Sequence, residues 1–162
     1  MVAALTRTTK EFPAAGPQQL VNNVHELMRS VVHHLQPTLE SEGISTGQFW
    51  AMHVVSSLQS ASVSTVARHL ALSAPTVCVN VDQLEAAGLV HRHRSERDHR
   101  AVDLSLTAKG RRVEARIWSR IGALMAEAAA GLPPEDITTA IRVFQEVNRR
   151  LDPTPISHHG DS

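Results

Sequence analysis

Apolar residues recur with helical spacing along most of the chain. They form one stripe over residues 17–41, and the same spacing returns over residues 107–130 and 135–151. Positions three and four residues apart share one face of a helix. The pattern therefore predicts three long amphipathic helices, one before and two after the middle of the chain.

Shorter elements are predicted for the middle of the chain. One helix begins at Ser45 or Thr46, and a second begins at Ser62 or Ser64. After a turn of about three residues, a third helix begins at Ser73, whose hydroxyl can accept a backbone N–H bond. The last two helices have the spacing of a helix-turn-helix.

The third of these helices has one apolar face. Val77, Val81 and Leu84 share that face, and Gly88 can adopt the left-handed conformation that ends a helix. Because helical residues advance by about 100° each, the opposite side is expected to point outward. That outward side carries Pro75, Val79, Gln83 and Ala86.

Two short strands are predicted after that helix. In the second strand Val102, Leu104 and Leu106 alternate with small or polar residues, which is typical of a half-buried strand. A charged, turn-like segment at residues 95–100 separates the strands, and Thr107 caps the next helix. Helix, strand, basic tip, strand and helix form the layout of a winged helix-turn-helix.

The predicted fold class is mainly α with a small β-hairpin wing, a winged helix-turn-helix with long N- and C-terminal helices. Its expected divisions are a flexible arm at residues 1–16, a domain at residues 17–151 with a central lobe at residues 45–106, and a flexible tail at residues 152–162. The small lobe can cover only part of three apolar stripes. A second copy is the simplest cover, which predicts a homodimer through residues 17–41 and 107–151, and an intramolecular bundle is the alternative.

Charge is uneven along a chain of zero net charge. Residues 91–112 hold seven basic and three acidic side chains, a local charge of +4 that suits a polyanion. A solvated hairpin with scattered charge is the alternative interpretation. The lone Cys78 excludes an internal disulfide, no apolar run reaches the roughly 18 residues of a membrane span, and a cytoplasmic location is expected.

The sequence gives little support to enzymatic or metal chemistry. Its ten histidines include two adjacent pairs, His33-His34 and His158-His159, a spacing that suits no single helix face. Nucleophile-elbow, phosphate-loop and metal-ligand motifs are not found. We therefore expect no enzyme activity, no metal and no cofactor, and we expect Cys78 to fill space rather than to sense oxidants.

An ordered set of residues across the middle of the chain resembles the multiple antibiotic resistance regulator (MarR) family of transcription factors. The set is Leu72-Ser73-x-Pro75-Thr76-Val77, Leu84-Glu85-x-x-Gly88-Leu89-Val90, Arg92, Asp98-x-Arg100 and Leu106-Thr107-x-Lys109-Gly110. The resemblance implies a homodimer that binds pseudo-palindromic double-stranded operator DNA. It also implies a role that is usually repression and is often tuned by a small ligand.

The outward side of the helix after Ser73 is the expected reading surface for the major groove. Gln83 can pair with an adenine edge, and Val79 or the methyl group of Thr76 can contact a thymine methyl. The Ser73 and Thr76 hydroxyls can hold a phosphate at the helix N-terminus, next to Pro75.

The hairpin tip is the expected contact to the minor groove. By resemblance, Arg100 enters that groove and Asp98 orients it through a carboxylate–guanidinium bond. Arg94 and Arg97 are better placed for phosphates. A surface ion pair of little consequence is the alternative.

Two further interpretations concern the partners of the protein. Phe49, Trp50, His53 and Trp118 could line a pocket for a small aromatic or phenolic effector, as in related proteins, although core packing is the default for such side chains. The helix after Ser73 carries no Lys or Arg, so the alternative function is a winged-helix protein-interaction module with weak or no DNA binding.

Overall fold

The computed structural model describes residues 16–59, 61–95 and 102–151. Its elements are α1 (Pro17–Ser41), α2 (Thr46–Ser57), α3 (Val63–Leu70), α4 (Ala74–Ala86), β1 (Val90–Arg94), β2 (Val102–Leu106), α5 (Ala108–Ala128) and α6 (Pro134–Leu151). A mainly helical chain with one antiparallel hairpin confirms the predicted fold class. No helix among the described residues is both long and apolar enough to cross a membrane.

Packing divides the chain into two units, residues 1–34 and 35–162. The described part of the first unit is the beginning of α1, where Val21, Leu27 and Met28 are exposed. In the second unit α1 continues through Pro37, a residue whose missing N–H removes one helical bond. The predicted arm, apart from Gly16, and the predicted tail lie outside the described residues.

Hydroxyl side chains begin the helices of the middle region, as the sequence predicts. Ser45, Ser62 and Ser73 accept bonds from the backbone N–H groups of Gln48, Thr65 and Thr76, respectively. Each bond satisfies a donor that the first turn of a helix leaves unpaired. In α2 the side chain of Gln48 in turn accepts a hydrogen bond from the backbone N–H of Ser45, which completes a capping box.

The hydrophobic core lies in the middle of the chain, where α2 packs against α3, α4, α5 and β2. Val77, Val81 and Leu84 of α4 point into it and are buried, as their spacing predicts. The hairpin pairs Val90 with Leu106 at its base and Arg94 with Val102 at the other end. Ala61 adds a bridge to Leu104, which holds the hairpin against the connection between α2 and α3.

Short hydrogen bonds join the end of α4 to the start of α5. Gly88 adopts the left-handed conformation (φ +69°) that ends α4. The hydroxyl of Thr107 donates to its carbonyl at 2.7 Å, and Lys109 Nζ donates to the carbonyl of Ala87 at 2.9 Å. Gly110 lies so close to the carbonyl of Leu89 that a Cβ would stand 2.0 Å from its oxygen. The glycines and Thr107 of the motif therefore form a single tight junction.

The last helix has no buried residue. The apolar residues Ile141, Val143, Phe144 and Leu151 of α6 are exposed, and Ile141 keeps 53% of its surface accessible. An amphipathic helix of 18 residues thus presents its apolar side to solvent in the single chain.

Candidate nucleic-acid interface

The outer side of α4 is open to solvent. Pro75, Val79 and Gln83 are exposed, and Val79 keeps 55% of its surface accessible although it is apolar. Val77 and Val81, on the other side of the same helix, are fully buried. A helix anchored along one face and bare along the other has the form needed to enter a major groove.

The N-terminus of α4 adds polar groups to this surface. Ser73 Oγ accepts the backbone N–H of Thr76 at 3.3 Å and lies 2.7 Å from the Thr76 hydroxyl. Both residues are exposed. Hydroxyls and first-turn N–H groups at the positive end of a helix are suited to binding a phosphate.

Gln83 has a partner that the sequence pattern does not reveal. Gln48 Nε2 donates to Gln83 Oε1 at 2.7 Å, across the packed faces of α2 and α4. Gln48 is only 8% exposed, whereas Gln83 is exposed on the outer side of α4. A buried side chain therefore holds the carbonyl of a residue expected to read bases.

Arg92 links the wing to α4. Its guanidinium donates to Asp82 Oδ1 at 2.6 Å and also to the carboxylate of Glu85. Hydrogen bonding to Asp82, reinforced by the charge of Glu85, raises the pKa of Arg92. One guanidinium thus offsets part of the charge of these two carboxylates, which reduces their repulsion of a polyanion.

The wing is described in part. Arg94 is exposed at the end of β1, while Arg97, Asp98 and Arg100 lie outside the described residues. Two other cations of the basic segment have intramolecular partners, since Lys109 and Arg111 each donate to a backbone carbonyl. The local positive charge is therefore partly committed to holding the hairpin and α5 together.

The four aromatic residues singled out in the sequence form one cluster. Their ring centroids lie between 4.7 and 6.5 Å apart, with His53 and Trp118 at the shortest distance. Phe49 is 1% exposed and belongs to the core, whereas Trp50, His53 and Trp118 keep part of their surfaces accessible. The cluster joins α2 to α5.

A polar network borders this cluster. His53 Nδ1 lies 3.2 Å from Glu114 Oε1 and 3.1 Å from the indole nitrogen of Trp118. Ser56 Oγ donates to the other oxygen of Glu114 at 2.9 Å. Since an indole N–H only donates and a carboxylate only accepts, His53 Nδ1 can serve one of these two partners at a time. No group of three or more metal-ligating side chains was found in the described part of the chain.

Comparison with known proteins agrees with this geometry. Residues 42–101 match a sequence model of the MarR family. The chain is 24% identical over 129 residues to the HTH-type transcriptional repressor MdtR of Bacillus subtilis (strain 168), which covers 77% of this chain and 83% of MdtR. Residues 42–101, which match the family model, contain α2, α3, α4 and β1, and these elements present the outer side of α4.

Solved structures share the architecture. A MarR family transcriptional regulator from Silicibacter pomeroyi DSS is 25% identical and superposes with a TM-score of 0.75, covering 89% of this chain and 99% of its own. NadR in complex with 4-hydroxyphenylacetate is 18% identical and superposes with a TM-score of 0.67, covering 86% and 97%. Members of the MarR family are transcriptional regulators and not enzymes. Residues 42–101 of this chain thus match the MarR family, and the described fold shares the architecture of a solved MarR family regulator.

Proposed function

We propose that this protein is a homodimeric transcriptional repressor that binds pseudo-palindromic double-stranded DNA in the cytoplasm. The observation that carries the proposal is the exposed outer side of α4, whose central residue, Val79, is apolar and bare. A MarR-family sequence and fold surround that surface. The similarity to a transcriptional repressor of Bacillus subtilis favours repression over activation.

In this proposal α4 enters the major groove and the wing reaches the adjacent minor groove. The contacting residues are Ser73, Pro75, Thr76, Val79 and Gln83 on α4, with Arg94, Arg97, Asp98 and Arg100 on the wing. Because α4 carries no Lys or Arg, phosphate binding falls mainly to the wing and to the helix N-terminus.

A second copy of the chain would cover the helices outside the winged lobe. The apolar side of α6 is exposed in the single chain, and the apolar residues at the start of α1 are exposed as well. Twofold pairing through α1, α5 and α6 buries such faces and places two α4 helices on one duplex. Half-sites about one helical turn apart then match the symmetry of the protein.

The aromatic cluster is the proposed effector site. Trp50, His53 and Trp118 offer partly accessible rings above the buried Phe49. The structural similarity to NadR, which was solved with 4-hydroxyphenylacetate, favours a phenolic effector. Titrating this protein with 4-hydroxyphenylacetate should change its tryptophan fluorescence, and an unchanged signal up to millimolar concentration would contradict this choice of ligand.

Selection of duplexes from a randomised library, followed by anisotropy titrations, tests DNA binding. The wild-type protein should enrich a palindromic sequence. Val79→Glu should weaken binding to that sequence by about tenfold or more, because the new carboxylate would lose its water in the groove and be repelled by the DNA phosphates. Gln59→Glu is the matched control, since it adds the same charge at an exposed position beyond α2. A wild-type protein that enriches no sequence would support the protein-interaction module instead.

A further inference from the structure

The orientation of the Gln48 side-chain amide is set by the backbone. The N–H of Ser45 donates to Gln48 Oε1 at 2.6 Å within the capping box of α2. A backbone N–H can only donate, so the atom it contacts must be the oxygen of the amide. The NH2 group of Gln48 is consequently the end that faces α4.

The same logic extends to Gln83. The NH2 group of Gln48 can only donate, and it lies 2.7 Å from the Gln83 amide. The atom that receives this bond must therefore be the Gln83 carbonyl oxygen. Because Gln48 is buried beneath α4, the Gln83 carbonyl is held against the protein and its NH2 group is directed away.

We infer that Gln48 is a positioning residue that fixes the base preference of Gln83 by making it present N–H donors to DNA. This inference rests on the proposed entry of α4 into the major groove. Donors favour base edges rich in acceptors, which are guanine O6 and N7 and thymine O4. The sequence alone suggests that Gln83 pairs with adenine, which requires both the oxygen and the NH2 group of its amide to face the base. The bond from Gln48 opposes this arrangement, because it holds the Gln83 oxygen against the protein.

Gln48→Glu is the variant that reverses this orientation. Glutamate keeps the capping box, since one carboxylate oxygen still accepts the Ser45 N–H, and an acid in the first turn suits the helix dipole. The other oxygen cannot donate to Gln83. The Gln83 amide should therefore turn over, donate to Glu at position 48, and present its carbonyl oxygen outward.

Base preference in a selected library is the readout. Wild-type protein and the Gln48→Glu variant are each used to select from the same randomised duplexes. At one position in each half-site we expect a change from guanine or thymine to a donor-bearing adenine or cytosine, by about fivefold or more in relative affinity. The remaining positions of the site should keep their preferences, which a general loss of structure would not allow.

Three further variants complete the test. Gln59→Glu adds the same charge at an exposed position outside α4 and should leave every position unchanged. Gln83→Ala should flatten the preference at the single position without reversing it. Gln83→Glu leaves Gln48 intact and presents an oxygen outward, so it should shift the preference in the same direction as Gln48→Glu even if that variant folds poorly.

The possible failures are distinguishable. If the wild-type protein enriches a palindrome and the Gln48→Glu variant binds it with the same base preference, the inference about Gln48 is overturned while the proposed function stands. If the wild-type protein enriches no sequence, the proposed function fails and the inference fails with it.

Discussion

The middle of the chain and its last helix follow the same rule of apolar spacing with opposite results. In the middle, Val66, Val77 and Leu104 are fully buried, because α2, α3, α4 and the hairpin cover one another. In α6 no residue is buried, although its apolar stripe is as regular. Periodicity thus predicts that a helix forms one apolar side and leaves open what covers that side.

The difference separates two sources of stability. Burial of apolar surface stabilises the middle region within one copy of the chain. For α6, an isolated helix of this length is marginal in water, so its stability depends on a surface supplied from elsewhere. Substitutions at buried and at exposed positions therefore distinguish a self-sufficient middle region from an α6 that depends on a second copy.

Leu104→Ala should have the largest effect, because it empties a fully buried position in the middle region. We expect a loss of about 2–5 kcal/mol in the free energy of unfolding, measured by urea denaturation. Val102→Ala is the matched control on the same strand, since Val102 is 51% exposed, and it should change stability by at most about 0.5 kcal/mol. Equal losses in the two variants would contradict the burial described for β2.

Ile141→Glu should break the proposed dimer while leaving the middle region folded. Each copy loses one isoleucine at about 2–3 kcal/mol, so the dimer loses about 4–6 kcal/mol of association, which is about a 10³- to 10⁴-fold rise in the dissociation constant. Sedimentation velocity measures this shift. Thr139→Glu, an exposed position of α6 about 200° from Ile141 around the helix, is the control and should stay dimeric. A wild-type protein that sediments as a monomer would refute the dimer.

Gly110→Ala should destabilise the junction between α4 and α5, because its methyl group would collide with the backbone carbonyl of Leu89. The expected loss is about 1–3 kcal/mol in the free energy of unfolding. Gly122→Ala, in the same helix and with open space around it, should instead raise stability by about 0.5–1 kcal/mol. Thermal unfolding of the pair gives the two signs directly, and a shared sign would contradict this packing.

The smallest effect is expected at the ion pair between Glu42 and Arg116, where both guanidinium bonds measure 2.7 Å. Hydrogen bonding to Arg116 lowers the pKa of Glu42 from its ordinary 4.5. Folding therefore favours the carboxylate, so its contribution is present above about pH 4.5 and is lost as pH falls through the lowered pKa. Glu42→Gln should be slightly less stable than the wild type at neutral pH, and urea titrations should show the gap closing in acid. A gap that widens in acid would contradict the sign.

Local chemistry made much of the fold predictable. Hydroxyl caps at Ser45, Ser62, Ser73 and Thr107 start four helices, and Gly88 ends one, as side-chain and backbone preferences require. The exposure of Val102 was not predictable from alternation, because it depends on where the core stops along the hairpin. The bridge from Ala61 to Leu104 also lay beyond the pattern.

The candidate site divides in the same way. The outward side of α4 follows from helical periodicity alone, and the structure places Pro75, Val79 and Gln83 there. The contacts that support this side do not follow from periodicity, because Gln48 is 35 positions from Gln83 in sequence and no local pattern marks the pair. Arg92 joins two carboxylates of α4 only because the hairpin folds back beside that helix. The presence of Gln at position 48 in a capping box is the one signal available in the sequence, and it indicates a cap rather than a partner.

The junction at Gly88 and Thr107 has a mechanical consequence. Two short hydrogen bonds and the close approach of Gly110 to Leu89 tie the first turn of α5 to the last turn of α4 at a single point. Tilting α5 therefore carries the end of α4 with it. In the proposed binding mode, the angle at which α4 would meet a duplex is thus set in part by events along a helix that need not touch the duplex.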